Sequence, residues 1–242
     1  MKGLIVSLYA MTASFRDPNT HLYQETILAP PPTTIVGISG AALGKKFKDA
    51  LEYFKRNTIS VGCRVQNQGL GKDLWNYSKI SGKTMKKDIL MREFLYDINI
   101  DIFIGCKDSD IIKELYQAFI NPFFALTLGN SDELVKISNI EICNEVSTIG
   151  CKDIRNTWIC GNYINDFELD WEKVKTLPIK STIRPPIIKN LPIDFKFNDN
   201  DEREATRFSK FTFLGDAHLL REPITAYLFK DKRIPLFVFS EE

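Results

Sequence analysis

Ile98-Asn99-Ile100-Asp101-Ile102-Phe103-Ile104 is the stretch whose reading decides the fold. Isoleucine at every second position puts four branched side chains on one face of an extended chain. That period of two predicts a strand with one face in the core. Downstream, Ser109 can cap a helix that buries Ile111, Ile112, Leu115 and Phe119. Phe123 to Leu128 reads as a further strand, closed by Gly129-Asn130. Upstream, Thr58 to Val65 is rich in β-branched residues and predicts a strand. Phe47 to Lys55 carries Phe47, Leu51 and Phe54 on one side of a helix. Before it, Pro30-Pro31-Pro32 stops the chain, and Thr33 or Thr34 is placed to cap a helix through Ile35, Ile38, Ala41 and Ala42 that breaks near Gly44. Residues 3–13 make the first strand, with Leu4, Val6, Leu8 and Ala10 on one face. The order is β-α-β-β-α-β. It predicts an α+β, ferredoxin-like domain, the frame shared by RRM-like RNA-binding modules.

Residues 66–92 lie between the second and third strands, far more chain than a hairpin needs there, and inserts of that length are usually functional or disordered. After residue 130 the pattern changes to short strand-like runs at Trp158–Tyr163, Phe208–Leu214, Ala226–Phe229 and Leu236–Phe239. Pro178, Pro185, Pro186 and Pro192 crowd one connector, which predicts irregular chain there. The expected division is a domain over residues 1–142 and a smaller β-rich part over 143–242.

The 242 residues are enough to bury a core, and 44% apolar with 26% charged residues excludes global disorder. A net charge of +1 excludes a uniformly basic nucleic-acid coat. Five cysteines without a C-x-x-C pair read as reduced thiols of a cytoplasmic protein, and two histidines argue against a His-rich metal site. No metal or cofactor is expected. The apolar run after Lys2 fits a buried strand better than an export signal, and Phe119–Leu128 is too short to span a bilayer, so no membrane partner is expected.

Charge is unevenly placed. From Lys45 to Glu93 there are 12 basic and 5 acidic residues, a local net of +7 against −6 elsewhere. The insert interleaves Lys72, Lys79, Lys83, Lys86 and Lys87 with Trp75 and Tyr77. Ammonium groups for phosphates and flat rings for bases suit single-stranded nucleic acid, although a solvated lysine-rich loop or a protein anchor has the same composition. Gly37, Gly40 and Gly44 fail the phosphate-loop spacing and recur instead at helical intervals, which favours close packing against a strand over phosphate contact. The free N–H groups at the helix start near Thr33 and Thr34 make a natural phosphate site. His21, Tyr23 and Lys45 are the residues from which a general acid–base set for RNA cleavage would be drawn.

Ser14-Phe15-Arg16-Asp17-Pro18, Tyr23-Gln24-Glu25-Thr26 and the run Pro30 to Gly44 resemble the N-terminal signature of the CRISPR-associated Cas-five family, within the RAMP superfamily. Arg92-Glu93-Phe94-Leu95-Tyr96-Asp97 is similar to that family's entry into the third strand, and Leu128-Gly129-Asn130-Ser131 to one of its loops. The resemblance covers roughly residues 1–135, and beyond them rests on Phe213-Leu214-Gly215 with Arg221-Glu222. It implies a ferredoxin-like domain with a β-hairpin thumb, for which residues 66–92 are the match. It also implies a place at one end of a type I surveillance complex, the Cascade, in antiviral defence. There such a subunit holds the 5′ handle of the guide RNA (crRNA), contacts the backbone and large subunits, and meets target DNA only through the assembly. One branch of the family instead cuts precursor guide RNA with a tyrosine, a lysine and a histidine. The proline–threonine helix start and an I-B-like character point to the non-cutting branch. The residues expected to bind RNA are Arg16, Tyr23, Gln24, Thr33, Thr34, Lys45, Lys46, Arg64, Lys72, Trp75, Lys83, Lys86 and Lys87, with Tyr77 as a further wedge.

Overall fold

The computed structural model describes residues 1–20, 23–81, 84–177 and 183–239. His21 and Lys83 lie outside them. The first part of the chain runs β1 (Lys2–Ala13), α1 (Pro32–Leu43), α2 (Phe47–Arg56), β2 (Ser60–Gln66), β3 (Gly69–Ser81), β4 (Thr84–Cys106), α3 (Ser109–Ile120) and β5 (Lys136–Cys143). Then follow β6 (Ser147–Cys151), β7 (Thr157–Cys160), β8 (Phe167–Leu169), α4 (Trp171–Thr176), β9 (Ile187–Phe197), β10 (Arg203–Leu214), β11 (His218–Leu220), β12 (Ile224–Phe229), β13 (Lys232–Ile234) and β14 (Phe237–Val238). The described residues are thus mixed α/β and mostly strand.

The main sheet has the order β14-β2-β4-β1-β5, all antiparallel. Ile98, Ile100, Ile102 and Ile104 of β4 are fully buried, as the alternation requires. Leu4, Val6, Leu8 and Ala10 of β1 join them, together with Ile35 and Ile38 of α1, Leu51 and Phe54 of α2, and Ile112, Leu115 and Phe119 of α3. Within and beyond the expected insert, β3 pairs with the first part of β4 as a hairpin, in register from Gly69↔Tyr96 to Ser81↔Thr84. β4 therefore serves both sheet and hairpin, and Asp97, at φ 50°, marks the junction between its two parts.

Four expectations are corrected here. Phe123–Leu128 is not a strand. Its amides are used elsewhere: Phe123 N and Phe124 N donate to the carbonyls of Ala42 and Ala41, closing the C-terminal end of α1 that would otherwise lack partners. The strand beside β1 is β5, where Val6 faces Ile140 and Leu8 faces Ile137 across a register shift. That bulge breaks the period of two that would have announced the strand. Neither Thr33 nor Thr34 caps α1, since Pro31 is the N-cap and Pro32 the first helical residue. Asp108 rather than Ser109 caps α3, accepting from Asp110 N. Pro192 sits inside β9, opposite Phe208, where the ladder to β10 slips. β9 is an edge strand, and an edge at an irregularity tolerates a residue with no N–H.

The later strands return to the same core. Trp158, Leu191, Ile193, Phe211, Phe213 and Phe239 belong to the cluster that holds the isoleucines of β4, and β14 pairs with β2. Phe103, on the opposite face of β4, packs against Phe229 of β12 with ring centroids 5.2 Å apart. All five cysteines are free thiols. Among the described residues no helix is long and apolar enough to cross a membrane.

The helical glycines pack against a helix and not a strand. A methyl group on Gly40 would lie 2.7 Å from Ala50 Cβ of α2, so this crossing requires glycine. Gly40→Ala should cost about 2 kcal/mol by overpacking, despite its better helix propensity. Adding Ala50→Gly should recover part of that loss, a non-additivity measurable by urea denaturation.

Candidate nucleic-acid interface

A cleft of about 480 Å³ runs along α1. Its walls come from three places: the loop after β1, the loop after α3, and the β9–β10 pair. Arg16, Thr33 and Thr34 all line it, as do Asn130 and Arg203, and no described carboxylate does. Arg203 lies over the rings of Phe47 (4.9 Å) and Phe195 (5.5 Å), which fixes its guanidinium in the wall. Arg16 is exposed and no described carboxylate pairs with it. At the helix start, Thr34 N and Ile35 N turn back to Pro31 O, and the first turn holds no acid. The cleft is therefore cationic, with the positive end of a helix dipole on one wall.

Two buried carboxylates hold the Arg16 loop. Asp17 is 1% exposed and takes bonds from Lys189 Nζ of β9 and from Asn19 N and Nδ2, both at 3.0 Å. Burial pushes its pKa up, but the bonds from Lys189 and Asn19 outweigh that and hold it below the ordinary aspartate value. Glu133, also 1% exposed, accepts from Ser14 Oγ at 2.5 Å and from Asn130 N at 2.7 Å. Burial dominates here and raises its pKa in spite of those two bonds. Gly129 lies between them at φ 122°, and a Cβ there would come within 2.0 Å of Ser14 O. Sequence reading passed over Asp17, Glu133 and Lys189, whose roles depend on contacts across 172 and 119 residues.

A second polar group sits at the root of the hairpin. Gln24 joins β4 through Gln24 N to Met91 O (3.0 Å) and Glu93 N to Gln24 O (2.8 Å). Tyr23 donates its hydroxyl to Glu93 Oε1 at 2.6 Å, and Lys72 reaches the same oxygen at 3.3 Å while lying 5.3 Å over the Tyr23 ring. The bond to Glu93 raises the Tyr23 pKa, so the phenol is held as a proton donor. Arg92 pairs with Asp73 through two nitrogens (3.0 and 3.3 Å), sits 3.7 Å from Asp132, and covers Trp75 at 5.2 Å.

The remaining candidates separate. Lys45 lies over Tyr53 of α2 and Lys46 pairs with Asp201, both past the C-terminal end of α1. The twelve residues of α1 put roughly 18 Å between that end and Thr33. Tyr23 and Lys45 thus have different partners and are not assembled as one acid–base set. Arg64 donates to Arg233 O on the sheet face opposite α1. Lys86 and Lys87 stand on the outer part of β4, opposite Lys79 and Ser78. Tyr77 bonds Asp88 at 3.2 Å on the hairpin itself. Among the described residues no group of acidic, histidine and cysteine side chains could hold a metal.

The chain belongs to the CRISPR-associated protein family Cas_Cas5, whose family model matches residues 3–159. Its structure is similar to that of a CRISPR protein from Archaeoglobus fulgidus, at TM-score 0.55 and 14% identity over 98% of this chain and 99% of that one. It is also similar to a chain of a CRISPR RNA-guided surveillance complex, at TM-score 0.52 and 11% identity over 99% and 93% of the two chains. At those identities the likeness speaks for the fold. No match is found among the curated proteins.

Asp17→Asn should lower stability by about 3 kcal/mol at neutral pH, because it removes the charge that Lys189 is buried against. Folding lowers the Asp17 pKa, so the stabilisation is complete above about 3.8 and is lost as pH falls through the lower folded value. Urea midpoints measured against pH should therefore fall less steeply below pH 3.8 in the variant than in the parent chain.

Proposed function

We propose that this chain is the guide-RNA-holding subunit of a type I CRISPR surveillance complex, the Cascade, and that the α1 cleft grips the 5′ handle. One observation carries the reading. A cleft walled by Arg16, Arg203, Thr33, Thr34 and Asn130 contains no described carboxylate, although the whole chain is close to neutral. Phosphate oxygens need donors and cations without competing anions, and this wall supplies both.

Family membership and the likeness to a chain of an RNA-guided surveillance complex support the assignment. The β-α-β-β-α-β order with sheet order β5-β1-β4-β2 supports a ferredoxin-like reading, and the β3–β4 hairpin supports a thumb. Residues 1–142 and 143–242 act as one unit in this proposal, because the second part supplies Arg203 and Lys189 to the first. Lys72, Trp75 and Lys87 bring the hairpin to the RNA or to the backbone and large subunits. Target DNA is read by pairing to the guide within the assembly. Type I-B is the subtype reading that goes with it.

Fluorescence anisotropy of labelled repeat RNA tests the proposal. Arg16→Ala and Arg203→Ala should each weaken binding about tenfold and reduce the slope of log affinity against log salt by about one. Arg64→Ala, on the opposite face, should leave affinity unchanged. Equal affinity across all three variants would remove the α1 cleft from the function.

A further inference from the structure

A second cavity, of about 710 Å³, shares no lining residue with the α1 cleft. It is walled by the β2–β3 connection, the β10–β11 turn and the approach to β9. Leu28 lines this cavity and Pro31 lines the α1 cleft, so three residues, on the order of 10 Å of extended chain, separate the two.

Its chemistry is unspent. Gln66, Asn67 and Gln68 line it, all exposed, and their side-chain amides make no hydrogen bond among the described residues. Arg184 lines it and pairs with no described carboxylate, whereas Lys173 is already held by Asp216 at 3.2 Å. His218 is 2% exposed, its ring packs edge-on to Phe167 at 5.0 Å, and its Nδ1 has no hydrogen-bond partner among the described residues. A buried imidazole nitrogen left without a partner has lost the hydrogen bond that water gave it, which makes it an anomaly. Gly215, also a wall residue, is next to the ring: a Cβ there would lie 3.8 Å from His218 Nδ1. Burial lowers the His218 pKa and keeps the ring neutral at pH 7, able to donate or accept one hydrogen bond. Phe213 and Pro185 add apolar surface.

From this we infer a second nucleotide subsite: the cavity takes one unstacked base and its phosphate from the single-stranded RNA held in the α1 cleft. The inference rests on the RNA-holding reading above. Amides at three successive positions suit a base edge, and Arg184 suits a phosphate. A volume within the ordinary range of small-molecule sites accommodates one nucleotide.

The test uses the full chain and a repeat-derived single-stranded RNA of about ten nucleotides in which 4-thiouridine is placed at each position in turn. Photo-crosslinked peptides are mapped, and affinities are measured for Gln68→Ala with Arg184→Ala, and for His218→Phe. A crosslink at one RNA position to residues 66–69 or 213–218 is expected, together with about tenfold weaker binding in the surface double variant. Gln68 and Arg184 are exposed, so that variant keeps the test valid if His218→Phe fails to fold. Crosslinks confined to the α1 cleft, with affinity unchanged in the double variant but weakened by Arg16→Ala, would overturn the subsite and leave the cleft standing. Absence of RNA binding by the unaltered chain would overturn both, and occupation of the cavity by a peptide of a partner protein would overturn the subsite alone.

Discussion

Everything that this protein presents to a partner hangs on the hydrogen-bond ladder along β4. Its inner residues are paired on both edges, by β1 and β2, and their isoleucines are sealed in the core. Its outer residues continue into the hairpin, where β3 takes over the edge that β2 leaves. Past the end of β1, the segment at Gln24 takes the other edge by bridging Arg92. A two-stranded hairpin alone is marginal in water, so its geometry is inherited from the sheet it grows out of. The same strand supplies Arg92 and Glu93, the two side chains that organise the hairpin root.

The cleft beside it depends on charge placed where water cannot reach. Asp17 and Glu133 sit in one small region, yet their environments differ. Lys189 and Asn19 together outweigh the burial of Asp17, while Glu133 has a hydroxyl and a backbone amide, with the weaker influence of Arg92. A carboxylate that binds a lysine from β9 ties the C-terminal half of the chain to the loop carrying Arg16. Without that tie Arg16 and Arg203 would stand on independently moving parts, and a phosphate between them would have to order both at its own expense.

How much of this was legible in the sequence follows from the range of each interaction. The periodicity of β4, β1 and the helices is local, and the elements it announces are there. The β3–β4 hairpin was expected from the family resemblance alone, since the length of the insert says only that it is functional or disordered. β5 stayed hidden because its isoleucines, at 137, 140 and 142, keep the face only with a bulge opposite Ser7 and Leu8. Phe123–Leu128 resembled a strand because its composition is apolar, but Phe123 and Phe124 are 71% and 54% exposed and serve as the terminus of α1. Pro192 looked like a breaker because the rule that excludes proline from strands holds for central ones, and no local signal says which strand is an edge.

The site was half legible for the same reason. Arg16, Thr33 and Thr34 are close in sequence and meet in one cleft, so a local motif found them. Lys45 and Lys46 are nearly as close in sequence, but α1 is a rigid rod and carries them to its far end. Charge counting along the chain sums over that rod as if it were a point. The excess of +7 between Lys45 and Glu93 is real as composition, yet the structure divides it. Lys46 and Lys55 are neutralised by Asp201 and Asp194, Arg92 by Asp73, and Arg64 is turned to the other face. The cation that completes the cleft, Arg203, comes from outside that window and from within the mainly acidic stretch Asp199–Glu204, which composition alone would assign to solvent. Which charges face a ligand is decided by what remains unpaired after folding, and that is a property of the contacts, not of the count.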